Sequence, residues 1–371
     1  MTRATPFHIR TAEFNRDNAW AQRCRFTLPE HFGDPSAEAM AARFAVTVSD
    51  ISWRWRLRLE GTRVLDLAQR LFTRDPSSLV PGAALKALWL SDGGGLRGAG
   101  LAARLDKQAL QLVSACEDHV WIAGAAGIFG VEIHDMTEEE GGLALIGPYA
   151  ARLFATLGFD PALEPLAFRR VDWRGLDVTV SRFGEHSGYE IWCKADDAPL
   201  VWDRVMRAGA PFALRPIGLD AMDILDLEAG IPRPGRDYDG AIATDASGPH
   251  PAELRLATLI DADHLAYNGR QGLIAAKPKR KLVGLAFDGE TPAPFAAIHA
   301  GSIEIGRTLS SCWSPALRRA IALAQIDEDK AHAGTAVSLA IPATRERLLP
   351  TMAAARIVDL PFLAPPDPIE T

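Results

Sequence analysis

The stretch Ser91-Asp92-Gly93-Gly94-Gly95-Leu96-Arg97-Gly98-Ala99-Gly100 (SDGGGLRGAG) decides how this chain is read. Asp-Gly-Gly-Gly is strong turn chemistry, because glycine takes positive φ with no Cβ in the way. Apolar segments stand around it: Ala84–Leu90 before, then Gly100–Leu105 and Leu110–Ala115 after. No helix pattern follows at phosphate-loop spacing, so Asp92–Gly95 reads as a structural turn rather than a binding loop.

Upstream, Trp53, Trp55, Leu57 and Leu59 alternate with Arg54, Arg56 and Arg58. Period two with arginine outside predicts a half-buried strand over Trp53–Leu59 with a solvated arginine face. Val64, Leu67, Ala68 and Leu71 share one helical face and predict a helix over Arg63–Leu71. Downstream, strands are expected at Ile128–Ile133, Leu143–Ile146, Pro165–Trp173 and Leu176–Ser181. Helices are expected at Tyr149–Leu157, Ala198–Ala208 and Asp223–Ala229. Pro232, Pro234 and Gly235 force a loop. Residues 240–280 read as loop-rich, and Lys281–Leu360 reads as short strands forming a small terminal β-domain. With no run of βαβ repeats, the class is α+β.

The chain has 371 residues, with 48% hydrophobic and 23% charged residues, a globular balance that needs more than one core. The net charge of -7 disfavours a nucleic-acid partner, since phosphate binding needs a basic face. No apolar run is long enough to span a membrane, and the N-terminal MTRATPFHIR lacks a signal-peptide core, so a cytoplasmic protein is expected. Cys24, Cys116, Cys193 and Cys312 form no CxxC pair, so they read as reduced thiols, with no metal site expected.

Four segments, taken in order, carry a resemblance. They are Gln69–Gly82 (QRLFTRDPSSLVPG) running into Ser91–Gly94 (SDGG), then Leu143–Pro148 (LALIGP). Next come Gly188–Trp192 (GYEIW) with Ile217–Gly230 (IGLDAMDILDLEAG). Last are Tyr267–Leu273 (YNGRQGL), Lys279–Leu285 (KRKLVGL) and Gly306–Leu323 (GRTLSSCWSPALRRAIAL). Together they resemble the glycine-cleavage T-protein (aminomethyltransferase) family, which includes tetrahydrofolate-dependent demethylases. The resemblance implies a three-domain ring of mixed sheets and helices around a central channel, ending in a small β-barrel or jelly-roll-like domain. Domains are expected at 1–150, 151–280 and 281–371. Tetrahydrofolate is the implied cofactor and a small molecule the implied substrate.

This chain departs from the family at chemically important positions. Relatives carry a catalytic Asp after the Asp-Gly-Gly turn, near the reacting folate nitrogen; that position falls here on Gly98, beside Arg97. Relatives have a pterin-binding Glu before the GYE motif. Here the loop Arg182-Phe183-Gly184-Glu185-His186-Ser187 is about two residues shorter, and either Glu185 or His186 could fill that place. Two family arginines become Met222 and Asp226, which weakens the case for a polyglutamate tail. The family's EAGLG survives only in its Glu, as Glu253-Leu254-Arg255-Leu256-Ala257.

The candidate catalytic groups are therefore Glu185, His186 and Tyr238. A histidine beside a carboxylate suits proton transfer, and a loop-stabilising pair is the plain alternative. A tyrosine near position 238 assists proton transfer in demethylase relatives; a packed aromatic is its alternative. The candidate binding residues are Trp53 and Trp55, which replace a Ser-His-Met neighbourhood beside the channel, with Arg97, Arg182, Arg236 and Asp237. Three readings follow. One is a one-carbon transferase resembling the folate-dependent demethylases, acting on a small organic substrate, aromatic or not. Another is a cofactor-independent lyase that removes a hydroxymethyl carbon as formaldehyde. The third is a non-catalytic protein of the same fold.

Overall fold

The computed structural model describes residues 2–115, 117–184, 186, 188–239, 248–287, 291–341 and 351–364. They gather into two compact units, Met1–Leu88 with Ala99–Met222, and Trp89–Gly98 with Asp223–Ala364. The class is α+β.

A six-stranded mixed sheet runs in the order Phe168–Asp172, Asp177–Ser181, Tyr189–Lys194, Glu140–Ile146, Thr47–Asp50, Arg215–Pro216. Its alternating Leu143, Leu145, Val178, Val180, Tyr189 and Ile191 face a core closed by Leu153 and Phe154 of the helix Ala150–Thr156 and Trp202 of the helix Ala198–Gly209. A second sheet runs Ala84–Leu90, Leu96–Arg104, Ala109–Ser114, Trp55–Glu60, Glu132–Asp135. The helix Val64–Leu71 buries Val64, Leu67, Ala68 and Leu71, the stripe its spacing dictates.

In the second unit six strands close into a barrel, in the order Arg280–Phe287, Arg319–Asp327, Ile303–Ser314, Ala297–Ala300, Ala336–Ile341, Thr351–Val358. Ala320, Ala322, Ala324 and Ile326 line its interior at period two. The intervening Ile321 and Leu323 face a second cluster with Leu227 and Leu360, so this strand is buried on both sides.

Three expectations are corrected. The strand predicted over Trp53–Leu59 begins at Trp55, because the Arg54 N–H donates to Ile51 O at 3.1 Å and closes a turn that holds Trp53. The arginine face of that strand is not uniformly solvated. Arg56 is buried, with its guanidinium carbon 3.7 Å from the Trp192 ring centroid and Glu140 Oε2 2.5 Å from its Nε. The latter contact is an ion pair without hydrogen-bond alignment, since the Nε–H has no acceptor along its direction. Burial pulls the Arg56 guanidinium below its ordinary value, against the opposing pull of Glu140 and Glu190. Finally, Ile128 and Phe129 belong to the helix His119–Phe129, and the strand starts at Glu132. Gly130 at φ +63 ends that helix. Its residues are apolar around most of the circumference, so no clean helical period marked it.

Candidate active site

The turn after Leu90 is knitted into the second unit by glycines. The Gly94 N–H donates to Ser91 O and the Ser91 N–H to Gly95 O, each at 2.9 Å. A Cβ on Gly94 would lie 2.1 Å from Leu273 N, and one on Gly95 would lie 2.6 Å from Gly248 O. Asn268 Nδ2 donates to Asp92 Oδ1 at 2.7 Å. The SDGG and YNGRQGL segments are thus one packed feature, and the turn serves backbone approach as well as positive φ.

The strand beyond the turn starts at Leu96, so Arg97 and Gly98 lie in a strand, with Arg97 half-buried. An ideal Cβ on Gly98 would fall 2.2 Å from Cζ2, 2.4 Å from Cε2 and 2.8 Å from Nε1 of Trp89. Trp89 is fully buried. Its indole takes the space into which any residue-98 side chain would project.

The loop after the helix Leu219–Glu228 is organised around Arg233. Arg233 Nη1 lies 3.0 Å from Asp223 Oδ1, and Arg233 Nε donates to Asp237 Oδ2 at 2.9 Å. The Arg233 backbone N–H reaches the same Oδ2 at 2.8 Å, and the Asp237 N–H donates back to Arg233 O at 2.8 Å. Arg236, half-exposed, pairs with Asp223 Oδ2. The Asp237 side chain is 0% exposed, yet its Oδ1 has no hydrogen-bond partner among the described residues. Tyr238 is buried beside it, and the Gly235 N–H donates to Tyr238 O at 2.9 Å. Fully buried Glu228 accepts from Ser314 Oγ at 2.5 Å, tying the helix to the barrel.

In the first unit Trp53 packs against Phe26, Leu28 and Leu219, with Arg23 over its ring at 5.0 Å. Trp55 is fully buried, and its indole N–H has no acceptor among the described residues. Arg182 Nη1 donates to Leu163 O at 3.2 Å, and its guanidinium lies 5.7 Å from the Tyr189 ring centroid. His186 is buried. Glu185 lies outside the described residues. Glu190 of the GYE motif is 1% exposed and accepts from Arg54 Nη1 at 2.6 Å and Trp192 Nε1 at 3.0 Å. A shallow cleft is lined by Thr11, Phe32, Ser49, Asp50, Trp202 and Gly218 among others. At its wall Asp50 accepts from Thr5 Oγ1 at 2.6 Å and from Ser52 Oγ at 2.6 Å.

Arg236, Asp237 and Tyr238 therefore share one loop, Arg97 stands on the Gly98 strand, and Trp53, Trp55, Arg182 and His186 belong to the first unit. Sequence reasoning missed Asp223 and Arg233 as the anchor of the loop. Their signal was faint: an Arg before Pro234-Gly235 and an acid on a nearby helix. Among the described residues no group of three His, Cys, Asp or Glu side chains could hold a metal ion. Burial pushes the Cys193 and Cys312 thiols up to about 12, which leaves them un-ionised near neutral pH.

Residues 8–263 match the family described as GCVT N-terminal domain, and residues 280–363 match the glycine cleavage T-protein C-terminal barrel domain. The chain is 30% identical to trimethylamine-oxide aldolase of Ruegeria pomeroyi over 91% of its own length, spanning 45% of that longer protein. It is 30% identical to the aminomethyltransferase of Bacillus pumilus over 90% of its length and 92% of the relative's. The crystal structure of the glycine cleavage system aminomethyltransferase T from Bartonella henselae superposes with a TM-score of 0.86 at 19% identity, covering 99% of both chains. That likeness shows the fold.

Proposed function

Because the chain belongs to the glycine cleavage T-protein family, we propose that it is an enzyme of one-carbon chemistry on a small organic substrate, and that it releases the carbon as a lyase. The observation that carries this reading is the Trp89 indole lodged in the side-chain space of Gly98. A relative named as an aldolase, 30% identical over 91% of the chain, points the same way.

Tetrahydrofolate is the cofactor the family implies. The resemblance places Gly98 where relatives carry the catalytic carboxylate, and Trp89 fills the space a side chain there would need. The helix Leu219–Glu228 carries Met222 and Asp226 in place of two family arginines. These residues do not fit a carboxylate-assisted folate step. The proposed chemistry therefore draws only on side chains of the chain.

For a substrate bearing a hydroxymethyl group, a base takes the hydroxyl proton. The carbon–carbon bond breaks, formaldehyde leaves, and the electron pair stays on the substrate carbon, which then takes a proton. No oxidant or reductant is needed. Tyr238 is proposed to handle the protons. Arg97 and Arg236, of the same unit as Tyr238, are proposed to stabilise developing negative charge. A family match through residues 8–263 favours a second reading, folate-dependent one-carbon transfer.

Two measurements separate the readings. Incubated without cofactor with a hydroxymethylated aromatic dimer, the protein is expected to release formaldehyde, and Tyr238→Phe is expected to slow release by at least tenfold. In calorimetric titration with tetrahydrofolate, no saturation is expected at millimolar ligand. Saturable folate binding without formaldehyde release selects the second reading. Silence in both assays sinks both and leaves a non-catalytic protein.

A further inference from the structure

Asp237 poses a specific chemical question. Its Oδ2 is held twice by Arg233, through the backbone N–H at 2.8 Å and Nε at 2.9 Å, so the carboxylate cannot rotate freely. Its Oδ1 is buried with no donor. Leaving a buried acceptor without a donor is costly, and more so for a charged group. The charges balance, Arg233 and Arg236 against Asp223 and Asp237, but that balance does not supply Oδ1 with a donor. An amide in place of the carboxylate would keep both Arg233 contacts through its oxygen, with Arg233 and Arg236 sharing Asp223 as ion partner. What the carboxylate adds is one fixed, unused acceptor next to Tyr238.

Resting on the lyase reading, we propose that Asp237 Oδ1 is the acceptor that recognises the substrate's hydroxyl group. The ligand class is then a small organic molecule that presents an O–H donor, and Asp237 is the residue that selects for it. Reaching Oδ1 requires the loop 231–239 to yield around the ligand, since the Asp237 side chain is 0% exposed. Gly235 at φ +74 gives that loop a position of wide backbone freedom. The Arg233 anchor keeps the carboxylate oriented as the loop moves.

The test uses the full chain and two probes, a 1,2-diarylpropane-1,3-diol and its analogue with methyl in place of CH₂OH. Each is titrated calorimetrically, and formaldehyde is assayed on the diol. The wild type is expected to bind the diol at least tenfold more tightly than the methyl analogue. Asp237→Asn, which places an N–H₂ where Oδ1 was, is expected to bind both probes alike and to melt within a few degrees of the wild type. Equal wild-type affinity for the two probes overturns the acceptor role even if Asp237→Asn fails to fold. So does a preference that survives in Asp237→Asn. Formaldehyde release alongside equal affinities would spare the lyase reading while ending this one. No binding of either probe and no formaldehyde would end both.

Discussion

An acid and an arginine show how far burial reassigns the character of a side chain. Asp50 is fully buried, and burial pushes its carboxyl above the usual carboxylate range against the hydrogen bonds from Ser52 and Thr5 and the nearby His8. A carboxyl with a raised folded value binds more protons folded than unfolded. Stability therefore falls as pH rises from the unfolded value near 3.9 through the raised folded one. Asp50→Asn is expected to flatten that slope, measured as the difference in urea midpoint between pH 4.5 and pH 7. Arg56 lies in an alternating sequence that predicts a solvent face. Its burial against Trp192 depends on a strand that only the folded sheet places opposite it. The resemblance put Gly98 at the site of a missing acid, and sequence alone offered nothing on what fills the gap.

The turn Ser91–Gly95 and the strand behind it illustrate what an element demands of its residues. Gly94 has φ +83, and its Cβ would strike Leu273 N. Gly94→Ala is expected to cost at least about 1–3 kcal/mol in chemical denaturation from the backbone conformation alone, with the clash added to it. At Gly98 the clash is with a side chain, so it can be tested by a cycle. Gly98→Asp is expected to destabilise by about 1–3 kcal/mol through overpacking, and Trp89→Ala by about 3–5 kcal/mol through a cavity. The double variant is expected to be no less stable than Trp89→Ala alone, because the new side chain then has room. Purely additive melting data would show that Trp89 and Gly98 are not coupled. The turn was legible because glycine chemistry is local. The helix His119–Phe129 was not, because a segment apolar on most sides has no period to read.

Across the whole molecule the sequence fixes which cores exist, while folding decides which charges end up inside them. Arg233 is 8% exposed and faces Asp223 and Asp237, which are 11% and 0% exposed. Arg233→Met is expected to cost about 3–5 kcal/mol, because two carboxylates lose a buried partner. Equilibrium unfolding in urea at neutral pH measures it, and a loss under 1 kcal/mol would show that the network is solvated. The α+β class, the terminal barrel and the family were determined by the sequence itself, since they rest on period-two strands, turn glycines and the order of short motifs, all of them local. Tertiary structure alone decided that the Trp89 indole fills the side-chain space of Gly98, that Arg56 is interior, and that one Asp237 oxygen has no partner among the described residues. Each of these depends on atoms far apart in the chain brought to within a few ångströms, where close packing and desolvation act and local pattern carries no information.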